Sequence, residues 1–329
     1  MVGRVESELK IETSVENRLK EMPNYVSDWY YNLRASRKTA GTCKTYISKV
    51  YDLLNYINND VNKVKLNDIN QRNVTSYFMS IQTKRNEDGE LIQTSDSHQQ
   101  NTWCALNSFF GYLEKSKQIN INYMTIIEKP KNKDLERINS SRILLTKKDF
   151  KQIIKAVESE KNENKKKRDL AIVLIFMTTG MRRAALASIN LEDIDLDNNT
   201  IVVIDKGNKR HEYIINDSLK IALAEWLSCR KGYKNANEID ALFISNKGNR
   251  ISTDSIYDVV EKYCQKGLGK KVSPHKLRAG FCSILYEKTG DIEFVRRCVG
   301  HSMSATTQRY IVTHGKEGEK ASEIMDNLI

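Results

Sequence analysis

The spacing of apolar residues changes part-way along this chain, and that change limits what it can fold into. Early on they recur at helical intervals. Tyr46, Val50, Leu53, Leu54 and Ile57 fall at i, i+4, i+7, i+8 and i+11, the stripe of an amphipathic helix. Trp103, Leu106, Phe109, Phe110 and Leu113 make a second stripe, and Ile69 to Ile81 reads as a helix between them. Arg85 to Glu90 is a polar turn around Gly89. These features predict an all-helical domain over residues 23–127, after a polar arm at 1–22 that reads as a short helix or loose chain. Glu128 to Arg142 is charged, poor in apolar residues and holds Pro130, one of three prolines; a linker is expected over 128–145.

Beyond the linker the periods mix. Thr146 to Asp149 resembles a capped helix start, with Asp a weaker partner than Glu at the third position. Leu170 to Thr179 is a buried helix that Gly180 ends. Ile201, Val203 and Asp205 alternate with Val202 and Ile204. Lys206 to Asn208 is a turn, and His211 to Ile215 returns as a second strand, so a β-hairpin within a small antiparallel sheet is expected. Leu219–Trp226, Ser255–Tyr263, His275–Glu287 and Ile292–Val299 read as helices. The expected fold class is α+β multidomain: the helical domain, a mixed α/β domain over 146–313, and a tail helix over 314–329.

Composition narrows the function. A chain of 329 residues suits two domains, and 40% hydrophobic residues exclude wholesale disorder. Lys and Arg number 53 against 42 acids, a net charge of +11, which suits nucleic acid ahead of a membrane surface. The lysine run at Lys165 to Lys167 reads as a solvated helix start. None of the six cysteines forms a CxxC pair, and Cys298 with His301 has no second ligand pair. That argues against a structural zinc site and against a secreted disulfide framework. The longest apolar run, Leu170 to Met177, is far short of a membrane span. With no apolar core of a signal peptide at the start, a cytoplasmic protein is expected.

Five pieces of the second half stand out together. TTGMRRAAL carries Arg182, DKGNKRH carries Lys206, and PHKLR carries His275 and Arg278 three apart on one helix face. VGHS carries His301, and TTQRY carries Tyr310 nine residues later (310 − 301 = 9). Singly, each has a plain reading: a basic helix start, a basic turn in which Lys209 rivals Lys206, a surface pair, a helix cap, one tyrosine of 15.

As an ordered set they resemble the tyrosine recombinases, the family of phage and transposon integrases and bacterial chromosome-dimer resolvases. The resemblance covers Thr146 to Thr313 firmly and Pro23 to Asn122 more loosely. It implies that the helical domain is a core-binding, DNA-binding domain and that the α/β domain is catalytic, the two forming a clamp on DNA. It implies a site-specific DNA recombinase that cleaves and rejoins strands through a covalent 3′-phosphotyrosyl intermediate. Integrating, excising or resolving a mobile element or replicon would be its role. The alternatives are a type IB topoisomerase-like enzyme and a non-catalytic DNA-binding relative.

The residue roles follow from the resemblance. Tyr310 is the nucleophile. Arg182 and Arg278 present planar donor forks to the phosphate. Lys206 protonates the leaving 5′-oxygen, while His275 takes the tyrosine proton or binds phosphate, and His301 adds a donor. No cofactor and no metal is implied. The implied partners are double-stranded DNA at specific sites, a tetrameric synaptic complex of this chain, and an accessory directionality factor. The tail is expected to pack on a neighbouring subunit, and the short N-terminal stretch implies no full arm-binding domain. Two positions depart from the family: Ala185 stands where an acid is usual, and Ala279 where His is frequent. Asp193 or Glu192 is a candidate to replace the acid in space.

Overall fold

The computed structural model describes residues 2–86, 88–131, 145–205 and 209–300; the side chains of 2–7, 205 and 209 are not part of that description. The described residues fall into two compact units, one within 2–131 and one within 145–300.

The first unit is helical. It contains α1 (Val2–Leu19), α2 (Asn24–Ala35), α3 (Ala40–Ile57), α4 (Gln71–Ser80) and α5 (Asp96–Lys115). The stripes seen in the sequence close its core. Val50, Leu53 and Leu54 on α3 meet Leu106, Phe109, Phe110 and Leu113 on α5, all fully buried. Side-chain oxygens of Thr39, Asn70 and Ser95 accept from backbone amides in the first turns of α3, α4 and α5, the usual way those orphan donors are satisfied. The stretch before residue 23 is not a loose arm. Val15 and Leu19 of α1 are buried in this core, and Arg18 lies over the Tyr51 ring at 4.1 Å. A short antiparallel ribbon, β1 (Thr83–Arg85) with β2 (Leu91–Gln93), flanks the Gly89 turn and is exposed throughout.

The second unit is mixed. α6 (Lys147–Glu158) begins with a full capping box, Thr146 and Asp149 each bonding the other's backbone amide, so Asp serves at the third position. α7 (Glu163–Thr179) starts charged, but from Leu170 to Met177 it is apolar all round and forms the central post of the core, as such a pattern requires. Around it stand α8 (Arg183–Ser188), α9 (Asp217–Arg230), α10 (Thr253–Leu268), α11 (Pro274–Thr289) and α12 (Ile292–Cys298). The sheet is three antiparallel strands in the order β3 (Ile194–Asp195), β4 (Thr200–Asp205), β5 (Lys209–Ile214). Ile201 pairs with Tyr213 and Val203 with His211. Ile201 and Val203 are buried while Val202 and Ile204 are half-buried, the two-residue alternation of a sheet with one face on the core. Among the described residues no helix is long and apolar enough to cross a membrane.

Candidate active site

Gly180 is the pivot of the site. α7 ends there because Gly180 takes the left-handed conformation (φ 61°) and its amide closes on Phe176. Such a C-cap is natural for glycine. There is also no room for a side chain, since a Cβ on Gly180 would lie 2.5 Å from Phe281 Cδ1. Two residues on, Arg182 occupies the extended position before α8 and is half-buried.

Arg278 arrives from α11. It is 1% exposed, so its charge needs hydrogen-bond partners. Nη1 donates to the Gly180 carbonyl at 2.5 Å and Nη2 to the Val299 carbonyl at 2.9 Å. The guanidinium thus ties the end of α7 to the turn after α12. His275, one turn earlier on α11, keeps an exposed surface. Its imidazole is nevertheless held below its ordinary pKa, first by partial burial, then by the charges of Arg278, Arg182 and Arg183. The charges of Arg278, Arg182 and Arg183 thus act on one imidazole and favour its neutral form.

Three sequence-predicted residues, Arg182, His275 and Arg278, are therefore brought together. Lys206, His301 and Tyr310 lie outside the described residues, as does the tail helix expected over 314–329. At the departures from the family pattern, Ala185 is buried in the core. Asp193 commits its carboxylate to the Asn190 amide at 2.8 Å, while two backbone carbonyls hold Arg278.

Three neighbours, Arg183, Tyr257 and His211, had no assigned role in the sequence reading. Arg183 and Tyr257 line a cleft of about 280 Å³ together with Met181, Ser273, Pro274 and His275. The Arg183 guanidinium lies 5.8 Å from the Tyr257 ring centre and 3.8 Å from Asp254. Adjacency to Arg182 was the available signal for Arg183. His211 on β5 bonds the Cys298 carbonyl at 3.2 Å, a contact between segments 87 residues apart that no local pattern signals.

The phage integrase family model matches residues 144–316, more than half of the chain. The chain belongs to the phage integrase family. Among similar family members, a protein named tyrosine recombinase XerC from Actinobacillus pleuropneumoniae serotype 7 is 33% identical over 207 residues, 63% of this chain and 64% of the relative. The XerC of Thermodesulfovibrio yellowstonii is 32% identical over 210 residues, 62% and 67%. The match to the first of these thus spans less than two thirds of that relative's length. Among solved structures, a XerH site-specific recombinase bound to palindromic difH substrate superposes with a TM-score of 0.68 at 21% identity, over 89% of this chain and 82% of that one. The Tn1549 transposon integrase bound to transposon right end DNA gives 0.64 at 16%, over 92% and 99%. Likeness at such identities establishes the integrase fold: a helical N-terminal region and a mixed α/β catalytic region.

Proposed function

We propose that this phage integrase family member is a site-specific DNA recombinase acting through a phosphotyrosyl link. The observation that carries the reading is the convergence of Arg182, Arg278 and a neutral-biased His275 on the Gly180 turn, from segments 98 residues apart. The names of its relatives, tyrosine recombinases, support it.

The chemistry fits the set. A phenol with a pKa near 10 attacks a phosphodiester readily only if charge on the pentacoordinate phosphorus is neutralised. Arg182 and Arg278 are suited to that. Tyr310 Oη bonds phosphorus as the bond to the 5′-oxygen breaks. The tyrosine proton passes to His275, whose depressed pKa keeps it able to accept. The leaving oxygen takes its proton from Lys206. The phosphotyrosyl bond keeps the energy of the diester, so reversal by a different 5′-hydroxyl rejoins strands. Recombination then needs two sites and four subunits, so a tetrameric synapse on double-stranded DNA belongs to the same reading. Excision, integration or resolution of a mobile element or replicon is the role proposed.

Tyr310→Phe is expected to keep DNA binding and to lose the covalent protein–DNA adduct on a nicked suicide substrate. Adduct formed at the wild-type rate by this variant would remove Tyr310 from the mechanism.

A further inference from the structure

The turn at 298–300 is gripped from two sides. Arg278 takes the Val299 carbonyl. From the sheet, His211 reaches the Cys298 carbonyl with Nε2 at 3.2 Å. A carbonyl oxygen only accepts, so Nε2 carries the proton in this contact. The ring is also braced edge-on against Tyr213, with centroids 4.4 Å apart. The face of the ring lies against Gly300, where a Cβ would sit 3.1 Å from Nδ1 and 3.2 Å from Cγ. Gly300 adopts φ 65°, a conformation that glycine takes without strain. Glycine is thus required there twice over, for its backbone angle and for the imidazole beside it.

The consequence lies in what the two partners carry. His211 pairs with Val203 in the β4–β5 ladder, and Lys206 falls between those two strands in the sequence. The gripped turn leads directly into His301. We infer that His211 is a positioning residue: it locks the hairpin bearing Lys206 to the turn that precedes His301, and so fixes the leaving-group acid relative to Arg278. This inference rests on the recombinase reading above. His211 needs no contact with DNA for this role. It needs a donor at the Nε2 position, which the flat ring carries past Gly300 to the Cys298 carbonyl.

Three variants of the full chain separate the possibilities. His211→Gln keeps a donor at comparable reach. His211→Phe keeps the ring without the donor, and His211→Ala removes both. Single-turnover cleavage by His211→Ala is expected to fall about tenfold to a hundredfold, the range that misplacing a catalytic group can cost. DNA affinity should stay near wild type. His211→Gln should recover most of the rate, and His211→Phe little of it. On a bridging 5′-phosphorothiolate, whose sulfur leaves without a proton, His211→Ala should regain most of its lost rate, since delivery of the proton is the step most impaired. Hydrogen exchange reads the grip without cleavage: amides at 298–300 should lose protection in His211→Ala and keep it in His211→Gln. An unchanged cleavage rate in His211→Ala would overturn the inference. So would a loss shared equally by Ala and Gln variants and not relieved by the thiolate, which is the pattern of a purely structural residue. Failure of the parent reading shows separately, as a wild-type adduct that survives Tyr310→Phe.

Discussion

Arg278 and Arg230 are both buried, and backbone carbonyls hold both. Arg230 is 5% exposed and donates to the carbonyls of Ala236, Ile239, Ala241 and Leu242. Burial alone therefore does not mark a catalytic arginine. What distinguishes Arg278 is its neighbourhood, because its charge and those of Arg182 and Arg183 act on one imidazole. The pair Arg182 and Arg278 was legible in the sequence because two motifs stand in a fixed order with His275. The anchors of Arg278 were not, because any residue type can supply a backbone carbonyl. Arg183 offers a test that leaves the proposed phosphate-binding pair intact. Removing its positive charge in Arg183→Ala should raise the pKa of His275. If neutral His275 accepts the tyrosine proton, activity is lost as pH falls through that pKa. The acid limb of the cleavage rate against pH should then move to higher pH in Arg183→Ala, with the plateau rate little changed. An unmoved limb would mean that His275 is not the titrating group.

Secondary-structure elements were legible where packing agrees with local period. α3, α5 and α7 follow their apolar stripes, and the β4–β5 hairpin follows its alternation. Elements with little apolar signal were harder to read. α1 presents few apolar positions along 18 residues, yet Val15 and Leu19 suffice to dock it. The β1–β2 strands are three residues each and wholly exposed, so nothing in their burial sets a period. The second unit also has a polar clasp that no stripe predicts. Glu160, just after α6, receives Lys262 Nζ at 2.5 Å and the Tyr263 hydroxyl at 3.1 Å, both from α10. The single Tyr263 hydroxyl proton is shared with Asp169 of α7, whose carboxylate is nearer at 2.9 Å. The Lys262 bond holds the Glu160 carboxyl at about 2, against an ordinary value of 4.5 and against the smaller opposing effect of burial. A depressed carboxyl stabilises the fold above its unfolded-state pKa, and that contribution fades as pH falls through its folded value. Glu160→Gln should therefore melt below wild type at neutral pH, by a few degrees at most for a pair near the surface. The gap should narrow as pH drops from about 4.5 towards 2. A gap that persists unchanged at low pH would assign the effect to packing instead of charge.

At the scale of the whole molecule, each unit has its own core, and the tail after Tyr310, the proposed nucleophile, is the segment proposed to join one copy to another. Its residues lie outside those described, so the case rests on sequence. Lys316, Glu317, Glu319 and Lys320 form a polar lead-in, then Ala321, Ile324, Met325 and Leu328 fall at i, i+3, i+4 and i+7. A helix this short is marginal alone, so its stripe needs a surface to bury against. Docking on a second copy would serve the proposed tetramer, and because the tail follows Tyr310 so closely, it would link assembly to the placement of the nucleophile. Docking on its own unit would satisfy the same stripe and would add to the stability of the monomer. The two differ in what deletion removes. Truncation after Thr313 is expected to leave binding to a single site close to wild type and to weaken both synapsis of two sites and recombination. Gel shifts with one and two sites, with light scattering of the complexes, measure this directly. A truncated chain that forms two-site complexes as well as the full chain, but melts at a lower temperature, would place the tail on its own unit and remove it from assembly.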